Sequence, residues 1–212
     1  MSYRLAIFDL DGTLMDTSSG ILQSVRDTIR FHAMPELSEE TIRSFIGPPI
    51  QWSFASQYGL DDETAQRMAD TFRSIYSSVH LLKAVPYPGV YDMLAALAER
   101  GVKPAIATYK REDYALRLLK HYHFDDYTDI IYGGDNDGTL KKSDIIQKCI
   151  DAQGVENLKE VVMVGDTLHD ANGARELGVD FIGVSYGFGL HGDEAIDLQH
   201  LARTPEEILM FV

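Results

Sequence analysis

Four short stretches of this 212-residue chain carry side chains able to do chemistry on a phosphate ester. The first is Asp9-Leu10-Asp11-Gly12-Thr13. Two carboxylates at i and i+2 leave a strand on the same side, and Gly12 lets the chain turn sharply behind them. One carboxylate can attack phosphorus while the other handles protons. The second is Thr108, whose hydroxyl, with free backbone N–H groups beside it, can hold a phosphoryl oxygen. The third is Lys141-Lys142. A lysine aimed inward would neutralise both the nucleophile and the phosphoryl group. The fourth is Gly165-Asp166-Thr167-Leu168-His169-Asp170, with two more carboxylates four residues apart. Oxygen ligands of this kind suit Mg2+. Taken singly, each stretch also has a plain structural reading: a polar turn, a helix cap, a solvated lysine pair, a capped helix start. The combination is far more specific than any part.

The surrounding pattern says what must position these groups. Leu5-Ala6-Ile7-Phe8 is a short apolar run that reads as a buried strand ending at Asp9. Strands are also expected at 104–108, 129–133, 161–165 and 181–184, with helices at about 111–122, 142–153 and 170–177. Strands alternating with helices of this length imply right-handed crossovers and a parallel sheet with helices on both faces. Each chemical stretch then falls at or just beyond the C-terminal end of a strand, the edge where such sheets bind ligands. Lys141-Lys142 opens a helix after the Gly133–Gly138 loop, which follows the strand at 129–133. That loop faintly resembles a calcium loop but lacks the terminal glutamate of an EF-hand.

Residues 15–85 contain no clear strand run. Ile21, Leu22, Val25 and Ile29 suit a helical stripe, as do Met68, Phe72, Ile75, Tyr76 and Val79. Asp61-Asp62-Glu63 places acidic groups at the start of the second stripe, where a helix dipole favours them. We read an all-helical insert over 15–85 within an α/β core made of 1–14 and 86–212. Trp52 either packs the core of this insert or touches substrate.

Composition narrows the function. With 19 basic against 33 acidic residues the formal net charge is −14. Such a surface repels a polyphosphate backbone, so a nucleic acid polymer is not the expected partner. A small phosphorylated metabolite remains compatible, because a metal and a lysine can reverse the field locally. No apolar run reaches the ~18–20 residues of a membrane span. Asp9 interrupts the only apolar run near the N-terminus, which is unlike a leader peptide. The single cysteine, Cys149, excludes an internal disulfide and a thiolate metal cage, and sits in an amphipathic helical pattern as a buried structural thiol. These features favour the cytoplasm, with the chain a monomer or dimer.

The order Asp-x-Asp-Gly-Thr, then Ser/Thr, then Lys, then Gly-Asp-x-x-x-Asp, on those elements, resembles the haloacid dehalogenase superfamily of phosphatases over essentially the whole chain. The helical insert lies where a cap domain sits in that family. Arg43-Ser44-Phe45-Ile46-Gly47-Pro48-Pro49 and Tyr87-Pro88-Gly89-Val90 are similar to its phosphoglycolate phosphatase branch. The resemblance implies that Asp9 is nucleophile and Mg2+ ligand. It makes Asp11 general acid and then base, with its backbone carbonyl on the metal. Asp166 binds the metal, and Asp170 supports that site directly or through its waters. Thr108 holds the phosphoryl group. Lys142, in Lys142-Ser143-Asp144-Ile145-Ile146, matches better than Lys141. Two departures stand out: Tyr109 occupies a position where the family often has Asn, and no proline follows Lys142. In the insert, Arg43 and Gly47 are candidates for substrate contact. A phosphomutase shares all four motifs. A dehalogenase would need neither Asp11 nor Asp166. A non-catalytic receiver would be shorter and lack the insert.

Overall fold

The computed structural model describes residues 3–135, 139–190 and 200–212. The chain divides into two compact units: Met1–Asp16 with Pro86–Val212, and Thr17–Val85. In chain order, β1 is Leu5–Phe8 and β2 is Met15–Asp16. The inserted unit supplies α1 (Ser18–Phe31), α2 (Glu39–Arg43), α3 (Ile50–Tyr58) and α4 (Asp62–Ile75), and β3 (Val85–Pro86) follows. Then come α5 (Val90–Glu99), β4 (Lys103–Arg111), α6 (Glu112–His121) and β5 (Ile131–Gly134). Next are α7 (Lys142–Gln153), β6 (Val161–Gly165), α8 (Leu168–Leu177) and β7 (Asp180–Val184). The chain closes with β8 (His200–Ala202) and α9 (Pro205–Ile208). Among the described residues no helix is long and apolar enough to cross a membrane.

The larger unit is a six-stranded sheet in the order β5-β4-β1-β6-β7-β8, with parallel pairing and helices on both faces. Every residue of β1 and β6 is buried. Central parallel strands covered on both faces read as continuous apolar runs for that reason. On one face, Ile145, Ile146, Cys149 and Ile150 of α7 pack with Leu5, Ile7, Ala105 and Met163 of the strands. The Cys149 thiol donates to the Ile106 carbonyl at 3.4 Å, and burial pushes its pKa up to about 12. It is a structural thiol.

Register brings the site together. Phe8 lies level with Ile106 of β4 and with Val164 of β6. Asp9 and Asp166 therefore lie just past their strands at one edge, beside Thr108, which the sequence expected to end its strand but which lies inside β4, with β1 at the point where the chain goes to opposite sides.

In the inserted unit, α1 buries Leu22, Val25 and Ile29, and α4 buries Ala65, Met68, Ala69 and Phe72. Asp61 caps α4 by accepting the Thr64 N–H at 2.7 Å. Two expectations fail here. Val79 is 61% exposed rather than continuing the α4 stripe. Residues Tyr76–His80 form a π-helical turn, whose i→i+5 spacing rotates the inward face onto His80. Trp52 is 61% exposed and does not pack the core of the insert. Phe54, buried two residues on, points roughly the other way round α3, as 3.6 residues per turn requires.

Candidate active site

The turn after β1 is built by its backbone. The Asp9 N–H donates to Val164 O at 2.9 Å, which ties the start of the turn to β6. Leu10 O then accepts from the N–H groups of Thr13, Leu14 and Met15, and the Gly12 N–H donates to Met15 O. Gly12 has φ +88°, and a Cβ there would stand 2.2 Å from Asp166 Oδ2. Glycine is thus required for both backbone conformation and space.

Asp166, fully buried at the end of β6, is held from several sides. Its Oδ1 accepts from Thr13 Oγ1 at 3.3 Å and its Oδ2 from the Phe188 N–H at 2.7 Å. Its backbone carbonyl accepts from the Leu190 N–H at 2.6 Å. The Tyr186–Leu190 loop, to which sequence reasoning gave no role, therefore fixes this carboxylate. Its signal is close packing at two glycines: a Cβ at Gly187 would meet Gly12 O at 2.3 Å and one at Gly189 would meet Asp166 O at 2.6 Å.

Lys142 opens α7 and is buried, with Nζ 2.5 Å from Asp9 Oδ1 and 2.6 Å from Asp170 Oδ1. Lys141 is exposed, and its N–H donates to Asp144 Oδ2 at 2.9 Å at the helix start. Of the two lysines, the geometry brings Lys142 to Asp9. The other oxygen of Asp170 accepts from the Thr167 N–H and hydroxyl, at 3.0 and 2.7 Å, and so caps α8. Thr108 is buried at the same edge. Tyr109 is 44% exposed; its hydroxyl accepts the Lys142 N–H at 2.9 Å, and its ring centre lies 5.6 Å from Nζ. Asp11 has its carboxylate 2.9 Å from Lys110 Nζ, a lysine to which the sequence assigned no part.

Four carboxylates thus meet two lysines. Burial pushes the Asp9 carboxyl up to about 8; Lys142 works against this, while Asp170, Asp166 and Asp11 add to it. Burial and the Asp170 charge push Asp166 up to about 6, opposed by the Phe188 and Thr13 hydrogen bonds and by Lys142. Lys142 loses hydration on burial, yet Asp170 and Asp9 hold it above the ordinary lysine range. The excess of buried negative charge fits a divalent cation. Asp9, Asp166 and Asp170 each offer an oxygen, and the three lie within 4.8 Å of one another. An all-oxygen, carboxylate-rich donor set is the kind that Mg2+ takes. The Asp11 carboxylate is not in this cluster.

Arg43 and Gly47 both belong to the inserted unit. Arg43 is exposed at the end of α2, and Gly47 has φ +105° with open space around it. Part of the calcium-like loop, 136–138, lies outside the described residues. Asp135 within it accepts the Thr139 N–H at 2.9 Å.

The chain as a whole has counterparts among known proteins. The family model for haloacid dehalogenase-like hydrolases matches residues 6–184. The chain belongs to that family. It is 34% identical over 190 residues to a 5'-nucleotidase of Pseudomonas aeruginosa, covering 89% of this chain and 86% of that protein. It is 33% identical over 189 residues to the tyrosine-protein kinase PtkA of Mycobacterium tuberculosis, covering 89% of this chain and 64% of that one. A solved structure from Clostridium difficile, described as a phosphatase, superimposes with a TM-score of 0.91 at 30% identity, covering 100% of this chain and 99% of that one. The chain is a hydrolase of the phosphatase kind, with the family's parallel-sheet core and helical insert.

Proposed function

We propose that this phosphatase hydrolyses a small, compact phosphomonoester, such as phosphoglycolate or a mononucleotide, through a phosphoryl group carried on Asp9. The observation that carries this reading is the convergence of Asp9, Lys142, Asp166 and Asp170 at one buried edge. A carboxylate and a phosphate repel each other, by about 4 kcal/mol per charge pair at ~4 Å and an effective dielectric of ~20. Lys142 offsets that repulsion and holds the phosphoryl group in line for Asp9. Thr108 binds a phosphoryl oxygen, and Tyr109 walls the pocket beside Lys142. Asp11 gives a proton to the leaving alkoxide and then takes one from the water that cleaves the acyl phosphate. Asp9, Asp166 and the Asp11 backbone carbonyl would hold Mg2+, supported by Asp170. The ion, when bound, supplies positive charge to the transferring phosphoryl oxygens.

Discrimination among phosphate esters is assigned to the inserted unit, the large element left to supply it, which would also help to exclude water from the acyl phosphate. Arg43 contacts the leaving group there, with Gly47 allowing close backbone approach. The test compares phosphate release from small esters with Mg2+ present, for wild type and Arg43→Ala. A large loss of kcat/KM on the best small substrate, with little on p-nitrophenyl phosphate, is expected. Equal losses remove Arg43 from the specificity site.

The likeness to PtkA favours one second reading, in which a hydroxyl rather than water accepts the phosphoryl group. A phosphomutase would share that step. Free phosphate as the product supports the hydrolase; a phosphorylated protein or an isomeric sugar phosphate supports the alternatives. Faster turnover of a phosphopeptide than of any small ester would overturn the substrate class.

A further inference from the structure

The strand that carries Thr108 does not stop there. β4 runs on through Tyr109 and Lys110 to Arg111, and its register against β5 shifts between Ala107 and Arg111. The Lys110 N–H donates to Thr108 Oγ1 at 3.1 Å, which locks the two residues together. The extension also lies hard against β5: a Cβ on Gly133 would stand 2.6 Å from the Lys110 carbonyl oxygen and 2.5 Å from Glu112 Cα. The segment is therefore held in place by its backbone. It delivers a lysine side chain only 6% exposed to within 2.9 Å of Asp11 Oδ1.

A buried ammonium gives up hydration, so it sits where a partner compensates. The benefit to the partner is geometric. A carboxylate on a turn has several staggered rotamers open to it, and an ion pair with a fixed lysine selects one. Lys142 cannot do this for Asp11, because its contacts are with Asp9 and Asp170.

We propose that Lys110 is a positioning residue that holds the Asp11 carboxyl group facing the leaving oxygen of the substrate. The proposal rests on the reading of Asp11 as proton carrier. In the first step the Asp9 oxygen bonds to phosphorus while the ester P–O bond breaks, and the leaving oxygen takes the Asp11 proton. In the second, water bonds to phosphorus, its proton returns to Asp11, and Asp9 is released as a carboxylate. Both transfers need Asp11 at one place, and small misplacements of a reacting group cost large factors in rate.

The test separates orientation from substrate binding and from folding. Lys110→Met keeps the stem and removes the charge. The readout is kcat/KM, which reports only the first step when that step is irreversible. It is measured on 2-glycerol phosphate, whose alkoxide leaves with a proton, and on p-nitrophenyl phosphate, whose phenolate leaves without one. We expect at least a tenfold loss on the alkyl ester and less than threefold on the aryl ester. In an Asp11→Asn background the Lys110→Met effect should largely vanish, since residues acting as one unit are not additive. Lys110→Cys treated with 2-bromoethylamine rebuilds an ammonium of lysine length and should recover the alkyl activity; Cys149 is fully buried and is spared. Equal losses on both esters overturn the inference. So does an undiminished Lys110→Met effect in the Asp11→Asn protein, which would make Lys110 a direct substrate contact, or an aminoethylated protein no more active than Lys110→Cys. If Asp11→Asn itself shows no alkyl-over-aryl bias, the proton-carrier reading falls and this inference with it.

Discussion

Replacing Gly12 by alanine asks whether the turn after β1 is shaped by the carboxylate beside it. Two costs should add. The backbone is at φ +88°, where an L residue costs roughly 1–2 kcal/mol. The new Cβ would also stand 2.2 Å from Asp166 Oδ2 and 2.7 Å from its Cγ. Asp166 cannot swing away cheaply, since the Phe188 N–H and the Thr13 hydroxyl hold its two oxygens. Overpacking at such a place costs typically 1–3 kcal/mol, so the total should be about 2–5 kcal/mol. Gly178 supplies the control: it caps α8 at φ +73° with nothing within 4 Å of its Cβ position. Gly178→Ala should therefore cost only the backbone part, about 1–2 kcal/mol, and leave activity unchanged. Urea unfolding of both variants, with phosphate release measured alongside, isolates the contact with Asp166. For a chain of this size each kcal/mol is roughly 2–4 °C in Tm. Gly12→Ala should also lose at least tenfold in kcat, because Asp9, the proposed nucleophile, opens the disturbed turn and Asp166 packs against it. If Gly12→Ala is no less stable than Gly178→Ala, or keeps kcat within twofold of wild type, the account of this turn is wrong.

Asp9→Asn should abolish turnover while near-native unfolding behaviour is retained; turnover within tenfold of wild type in a folded, non-deamidated protein refutes the covalent route. Activity should vanish in EDTA and return with Mg2+, and Asp166→Ala should raise the Mg2+ concentration needed; full activity after exhaustive chelation contradicts the assignment. Stability in EDTA should fall as pH rises from 5 to 8. Asp9 and Asp166 are raised to about 8 and about 6, so the folded state binds more protons than the unfolded one across that window, and the loss should amount to a few kcal/mol. The Lys142 shift acts above the ordinary lysine range and leaves this window untouched. Urea midpoints independent of pH in EDTA, or a slope that Mg2+ does not reduce, would count against a charge-starved carboxylate cluster.

Elements with unambiguous periodicity were legible in the chain before it folds. The apolar run Val161–Gly165 and the amphipathic run Lys142–Gln153 form a strand and a helix over those same residues, because a doubly covered strand and a one-faced helix leave different hydropathy patterns. The sequence also placed Asp9 and Asp166 just past strand ends, where register makes them neighbours, whereas Thr108, expected to end its strand, lies inside β4. Elements with little apolar content of their own were less legible. β8 is three residues long, and β4 continues three residues past its apolar run because Gly133 admits the extra backbone. The outward turn of Val79 depends on a π-helical turn that 3.6-residue periodicity does not contain. The pairing of each lysine with its carboxylate comes from the packed fold: the family pattern favoured Lys142 over Lys141 but named no partner. Lys141 and Lys142 are neighbours in sequence, and the rotation of α7 against β1 sends one to solvent and the other to Asp9. Lys110 reaches Asp11, and Phe188 reaches Asp166, across separations of 99 and 22 residues. A chain pattern records what lies along one element, whereas such pairs exist only once strands from distant parts of the chain stand side by side.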